Sequence, residues 1–167
     1  MKTKQGFTLV EVLIVVMILG ILVGIVLPEL SSADTAARAS MLADSLRSTR
    51  SQIALFQWQH NGIAPGYPTS GPLTADATLF AQQMTLSTTV GRQTAAPSTA
   101  GYPYGPYMAI IPRNPISEDD SVRVIAPTDA FPTVAGGAFG WVYKPSTLEF
   151  HADCVGSDQD GKAFIDY

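Results

Sequence analysis

Residues 1–28 read MKTKQGFTLVEVLIVVMILGILVGIVLP, and how this stretch is understood decides the fold of everything after it. Lys2 and Lys4 precede Gly6, and from Phe7 to Leu27 the only charged side chain is Glu11. At 1.5 Å rise per residue, an apolar helix of about 20 residues crosses the roughly 30 Å hydrocarbon layer of a bilayer. The stretch is therefore a membrane helix or a targeting signal. Two upstream lysines, with no cation just downstream, put its N-terminus in the cytoplasm. The carboxylate is the anomaly, because a charge at the centre of a membrane helix costs roughly 2.5–3.5 kcal/mol, and less towards the ends. Glu11 lies near the cytoplasmic end, and the apolar run offers it no cation. A cut between Gly6 and Phe7 would create an α-amine one helical turn from Glu11, available to the same or a neighbouring chain. Without such a cut, Glu11 is an interfacial residue that snorkels to water.

These residues resemble a known signature. The basic leader ending in Gly6, then Phe7-Thr8-Leu9-Val10-Glu11, then an apolar helix closed by Pro28, is similar to the N-terminus shared by type IV pilins and the pseudopilins of type II secretion. The resemblance covers only about the first 30 residues, so it identifies a class and not an individual role. It implies a prepilin peptidase that cuts after Gly6, N-methylation of Phe7, and pairing of Glu11 with the N-terminus of a neighbouring subunit during filament assembly. It also implies an α+β, type IV pilin-like fold: a long N-terminal helix, half in the membrane and half amphipathic, packed on a small antiparallel sheet with a loop-rich connector. The expected partition is leader 1–6, membrane and filament-core helix 7–28, amphipathic continuation 29–61, and globular domain 62–167.

A rival reading places a signal-peptidase site at Ser31-Ser32-Ala33, which would release a secreted protein starting at Asp34. The apolar core is longer than the 7–15 residues of an ordinary signal. It carries Glu11, which a discarded segment does not need, and the residues after Ala33 continue as helix.

The 167 residues include 10 Lys and Arg against 14 Asp and Glu. Loss of Lys2 and Lys4 with the leader leaves 8 cations against 14 anions, a side-chain charge of −6. That balance does not favour nucleic acid or an anionic lipid surface as a general partner. Cys154 is the single cysteine, so no intrachain disulfide forms. Many type IV pilins carry such a disulfide, and its absence tilts the resemblance towards pseudopilins.

Pro28 lacks a helical donor, so a kink and a break are expected there. Beyond it Leu42, Leu46, Thr49, Ile53 and Phe56 recur at helical spacing, which places them on one face, with Asp44, Arg47, Ser48 and Ser51 opposite. Asn61-Gly62 supplies a left-handed cap. His60 is read as a cation favoured by the helix C-terminus. Residues 74–86 form a second helix capped by Thr74, and 87–101 is loop.

The segment 102–116 is dense in tyrosine and proline. Tyr102, Tyr104 and Tyr107 either pack the loop onto the helix or form a stacking platform, which would make the protein a membrane-anchored binding module. Gly105-Pro106-Tyr107 with Pro112-Arg113-Asn114-Pro115 resembles a segment of major pseudopilins, a second and weaker likeness. Strands are expected at 122–125, 139–143 and 148–152, the last two as a hairpin, with a further edge strand at 163–167.

Asp158-Gln159-Asp160-Gly161 has the alternating carboxylates and glycine turn of calcium loops, without the closing glutamate of an EF-hand. Asp153 and Asp166 are candidate further ligands, and major pseudopilins hold calcium in a similar loop. An acidic glycine turn with no ligand explains the same residues.

His60 and His151 are isolated, no nucleophile has a base at motif spacing, and no phosphate loop is present, so the chain reads as a structural protein and not an enzyme. The resemblance implies a subunit of a pilus-like filament, held in the bacterial inner membrane with its domain in the periplasm. Its partners would be copies of itself, other pseudopilins or pilins, the prepilin peptidase and an inner-membrane assembly platform. Two roles stay open: a type II secretion pseudopilin aiding export across the outer membrane, and a surface pilus subunit for adhesion, motility or DNA uptake.

Overall fold

A computed structural model of the protein describes residues 8–70 and 74–167, without the side chains of 25–29, 31 and 32. Gly6 and Phe7, where cleavage and methylation are expected, lie outside the described residues. The chain divides into two compact units, 1–37 and 38–167.

Helix α1, Leu9–Gln59, is 51 residues long and contributes residues to both units. It runs as α-helix across Pro28, so the break expected there does not occur; the helix tolerates one residue without an N–H donor. It also runs without interruption across Ala33 and Asp34.

In the second unit the helical stripe behaves as its spacing dictates. Leu42, Leu46, Thr49, Ile53 and Phe56 are all buried, and Ala39 extends the line by one turn. Facing them in one core are Phe80, Met84, Trp141, Tyr143 and Phe150. The aromatic rings interlock, with Phe80 4.7 Å from Tyr143 and Trp141 5.3 Å from Phe150 between centroids. Full burial of such side chains contributes about 1.5–3 kcal/mol each, so this seam holds the helix to its domain. The helix ends in a Schellman turn: Asn61 adopts φ 57°, Gly62 φ 78°, and the Gly62 N–H donates to the Gln57 carbonyl at 2.9 Å.

The second helix, α2, spans Ala77–Thr85 and is shorter than expected. Asp76 and not Thr74 caps it, accepting from the N–H groups of Thr78 and Leu79 at 2.8 and 3.1 Å. A carboxylate immediately before the first turn is within reach of those orphan donors, and a hydroxyl two residues further back is not. Buried Gln83 ties α2 to the connector before it. Its Oε1 accepts from Gly66 N at 2.7 Å and its Nε2 donates to Tyr67 O at 2.9 Å.

The segment expected to be all loop contains a small ribbon, β1 (Ser87–Thr88) paired antiparallel with β2 (Thr94–Ala95). Two-residue strands are too short to leave a period in the sequence. The main sheet has order β3-β4-β5, with β3 Val122–Val124, β4 Trp141–Lys144 and β5 Glu149–Ala152. β4 and β5 form the expected hairpin, with Tyr143 opposite Phe150. β3 pairs parallel to β4, Arg123 opposite Val142, so the sheet is mixed and not wholly antiparallel. The long segment 125–140 allows this, since a parallel pair needs a crossover of a dozen residues or more. Residues 163–167 are not an edge strand. Phe164–Asp166 curls into a 3₁₀ turn that buries Phe164 and Ile165.

The tyrosine–proline segment is fixed from several sides. Trp141 Nε1 donates to Pro112 O at 2.7 Å, and buried Asn114 donates through Nδ2 to Gly140 O at 2.8 Å. Gly140 must be glycine, because a Cβ there would lie 2.1 Å from the Asp119 carbonyl oxygen. The Gly105–Pro106 peptide is cis.

Candidate functional site: the first turn of α1

Thr8 and Glu11 form a reciprocal cap. The Thr8 N–H and hydroxyl each lie 3.2 Å from Glu11 Oε2, and the Glu11 N–H donates to Thr8 Oγ1 at 3.3 Å. Thr8 immediately precedes the first helical residue, so Glu11 sits at the third position of the helix. This is the Ser/Thr-x-x-Glu capping box, which satisfies donors that a helix start leaves orphaned. The carboxylate that looks anomalous in an apolar run thus has a local partner. The signal for it in the sequence is the spacing Thr8-Leu9-Val10-Glu11. The helix N-terminus also carries a partial positive charge, which favours an anion at this position.

Beyond the cap the helix surface is apolar and uncovered. Every large apolar side chain from Leu9 to Val23 exposes more than half of its surface, and Thr8, Leu9, Val12, Leu13 and Val16 line a shallow apolar groove along it. Among the described residues no helix is long and apolar enough to cross a membrane.

The calcium residues are not assembled as expected. Among the described residues no three His, Cys, Asp or Glu side chains converge on a point that would hold a metal ion. Asp153 is buried, and its Oδ1 accepts from Gly136 N at 2.6 Å while Oδ2 has no hydrogen-bond partner among the described residues. Asp158 Oδ1 accepts from the N–H groups of Asp160 and Lys162 at 2.9 Å each, and the Tyr167 hydroxyl donates to its Oδ2, which holds Asp158 ionised below the usual carboxylate range. Asp158 thus organises a turn. Asp160 is exposed, and Asp166 lies in the final 3₁₀ turn. As placed, Asp153, Asp158, Asp160 and Asp166 are not gathered into one cluster.

His60 is not the cation expected at the helix C-terminus. It is fully buried and stacked on Phe56 at 3.8 Å. Its Nδ1 lies 2.7 Å from Phe56 O, which makes it the donor there, and its Nε2 then accepts from Thr88 Oγ1 at 3.0 Å. Burial is the main force pushing its pKa down, so the ring is neutral and structural, not a cation on the helix dipole. Tyr104 and Tyr107 pack edge-on against it, and Tyr107 OH donates to Gln59 Oε1 at 2.6 Å. The tyrosines therefore hold the loop on the helix. Cys154 is a buried free thiol, its pKa raised by burial.

Two comparisons with known proteins bear on this arrangement. Residues 1–27 match the family described as the prokaryotic N-terminal methylation motif. The chain carries the prepilin motif at its N-terminus. It is also similar well beyond the leader to the type II secretion system core protein G of Klebsiella pneumoniae, 25% identical over 119 residues that cover 71% of this chain and 74% of that one. The protein of the same name from Aeromonas hydrophila is 27% identical over 114 residues, 68% of each chain, and that of Dickeya chrysanthemi 25% identical over 114 residues, 68% of this chain and 64% of that one. No solved structure matches.

Proposed function

We propose that the protein is a pseudopilin, a structural subunit of a pilus-like filament that assists type II secretion. The observation that carries this reading is the pairing of a methylation motif with similarity to core protein G across about two thirds of the chain. In this role the protein performs no catalysis. It is made as a precursor, cut after Gly6 and methylated at Phe7 by a prepilin peptidase. It waits in the inner membrane with its second unit in the periplasm, and leaves the bilayer by joining a filament of copies and other pseudopilins on an inner-membrane platform. The uncovered apolar surface of residues 9–23 suits both environments, lipid before assembly and other helices after it.

Assembly needs a carboxylate that can meet the new amine of Phe7 on a neighbouring subunit, because two charges entering an apolar core together cost less than either alone. The capping box makes the two roles of Glu11 separable. Glutamine preserves the cap, since Gln serves at the third position as Glu does, but removes the charge. Glu11→Gln and Glu11→Ala are both expected to be inserted and cleaved normally and both to lose filaments. If Glu11→Gln assembles like wild type while Glu11→Ala does not, Glu11 acts through the helix cap and the charge pairing is wrong.

A further inference from the structure

Along one flank of α1 in the second unit runs a groove of about 560 Å³ whose lining includes Arg47, Arg50, Lys162 and Tyr167. Three of the chain's ten Lys and Arg thus converge on one feature of a protein whose net charge is −4. Two of them are held in place. Arg50 donates through Nε to Phe150 O at 2.9 Å and through Nη2 to the main-chain oxygen of Tyr167 at 2.5 Å, and Lys162 Nζ sits 4.1 Å over the Tyr167 ring. Arg47 is largely exposed and lies 3.7 Å from Asp44 Oδ1, the kind of pair worth about 0–1 kcal/mol.

Elsewhere on the same unit is the chain's one run of three consecutive charges, Glu118-Asp119-Asp120. The turn that carries it is held by hydrogen bonds within the segment. Asn114 Oδ1 accepts from Ile116 N at 2.9 Å, Glu118 N donates to Asn114 O at 2.8 Å, and Asp119 Oδ1 accepts from Ser121 N at 3.0 Å. Glu118 and Asp120 are exposed; Glu118 Oε1 lies 3.7 Å from Arg38 Nη1 of its own chain, an exposed pair, and Asp120 is the carboxylate left for an outside partner to meet. No residue of the turn lines the groove.

We propose that the cationic groove of Arg47, Arg50 and Lys162 receives the acidic turn 118–120 of a second copy of this chain. The inference rests on the filament reading and names one of its subunit contacts. Groove and turn are unlike surfaces, and a contact between unlike surfaces can repeat from copy to copy without closing, as a filament requires. The pre-set geometry of Arg50 and Lys162 lowers the ordering cost of the encounter. Complementary charge of this type sets register and speeds association more than it adds affinity.

The test uses the full-length chain in the membranes of cells that assemble it. Carrying Arg47→Cys and Asp120→Cys together and oxidised with copper phenanthroline, the chain is expected to give a ladder of covalent multimers; each single variant gives none beyond dimers, and native Cys154 is buried. In parallel, Arg47→Glu is expected to reduce filaments at least about tenfold, the size of a 1.4 kcal/mol change in a contact, and adding Asp120→Lys to restore them. Filaments without a ladder, dimers alone, cross-links only to other proteins, or no rescue by the swapped pair would overturn the assignment while leaving the filament reading in place. A ladder in cells that show no filaments would keep the contact and remove the filament reading.

Discussion

The two parts of α1 are built from the same kind of residue and meet opposite fates. Between Leu9 and Val23 the apolar side chains cover every side of the helix and stand uncovered. Between Ala39 and Phe56 they keep to one stripe, which is buried. An all-round apolar helix cannot satisfy itself and needs an apolar surrounding; a striped one can be completed by its own domain. The difference separates a part of the chain whose apolar surface stands uncovered from the part that makes a stable fold.

The sharpest way to break that distinction is a matched pair of truncations. Phe56→Ala, in the buried seam, should cost about 3–5 kcal/mol of unfolding free energy, read by thermal or denaturant unfolding of the full chain in detergent. Val16→Ala should leave the unfolding transition of the second unit where it is and change only membrane or filament behaviour. Equal losses from both would mean that residues 9–23 belong to the fold.

A smaller effect concerns pH. His60, at the end of the seam, and His151, which lies 2.7 Å through Nδ1 from Ile165 O, both have pKa values lowered chiefly by burial. A histidine depressed in the folded state is protonated first in the unfolded state. Stability is therefore complete above the unfolded value of roughly pH 6.5 and declines as pH falls below it. The melting temperature of the second unit should drop on acidification from pH 7 towards pH 5, and His60→Gln should flatten that drop. A rise over the same range would contradict the burial of a neutral ring. The smallest expected effect concerns calcium. With its four candidate carboxylates dispersed, the domain should gain little thermal stability from the added ion, whereas a gain of several degrees would show Asp153, Asp158, Asp160 and Asp166 regrouping around it.

What the sequence disclosed follows the same division. The stripe from Leu42 to Phe56 and the Asn61-Gly62 cap were legible because local periodicity and backbone chirality determine them. The hairpin of Trp141–Lys144 with Glu149–Ala152 was legible for a similar reason, since its strands and turn are adjacent. His60 was misread because its environment is set by Thr88, Tyr104 and Tyr107, none of them near it in the chain. The parallel pairing of Val122–Val124 with Trp141–Lys144 and the seating of Asn114 against Gly140 likewise depend on residues far apart in sequence. At the candidate site Glu11 was located by its chemistry, but its bond to Thr8 went unnoticed although the Thr-x-x-Glu spacing displays it.

The account stands most directly on how the N-terminus is processed, and the intact mass of the protein isolated from its native membrane tests it. The mass predicted is that of a chain beginning at N-methyl-Phe7, with Glu11 retained. A chain beginning at Asp34 would contradict the account, because it would discard Glu11, its capping box and the whole uncovered apolar surface before the protein could assemble.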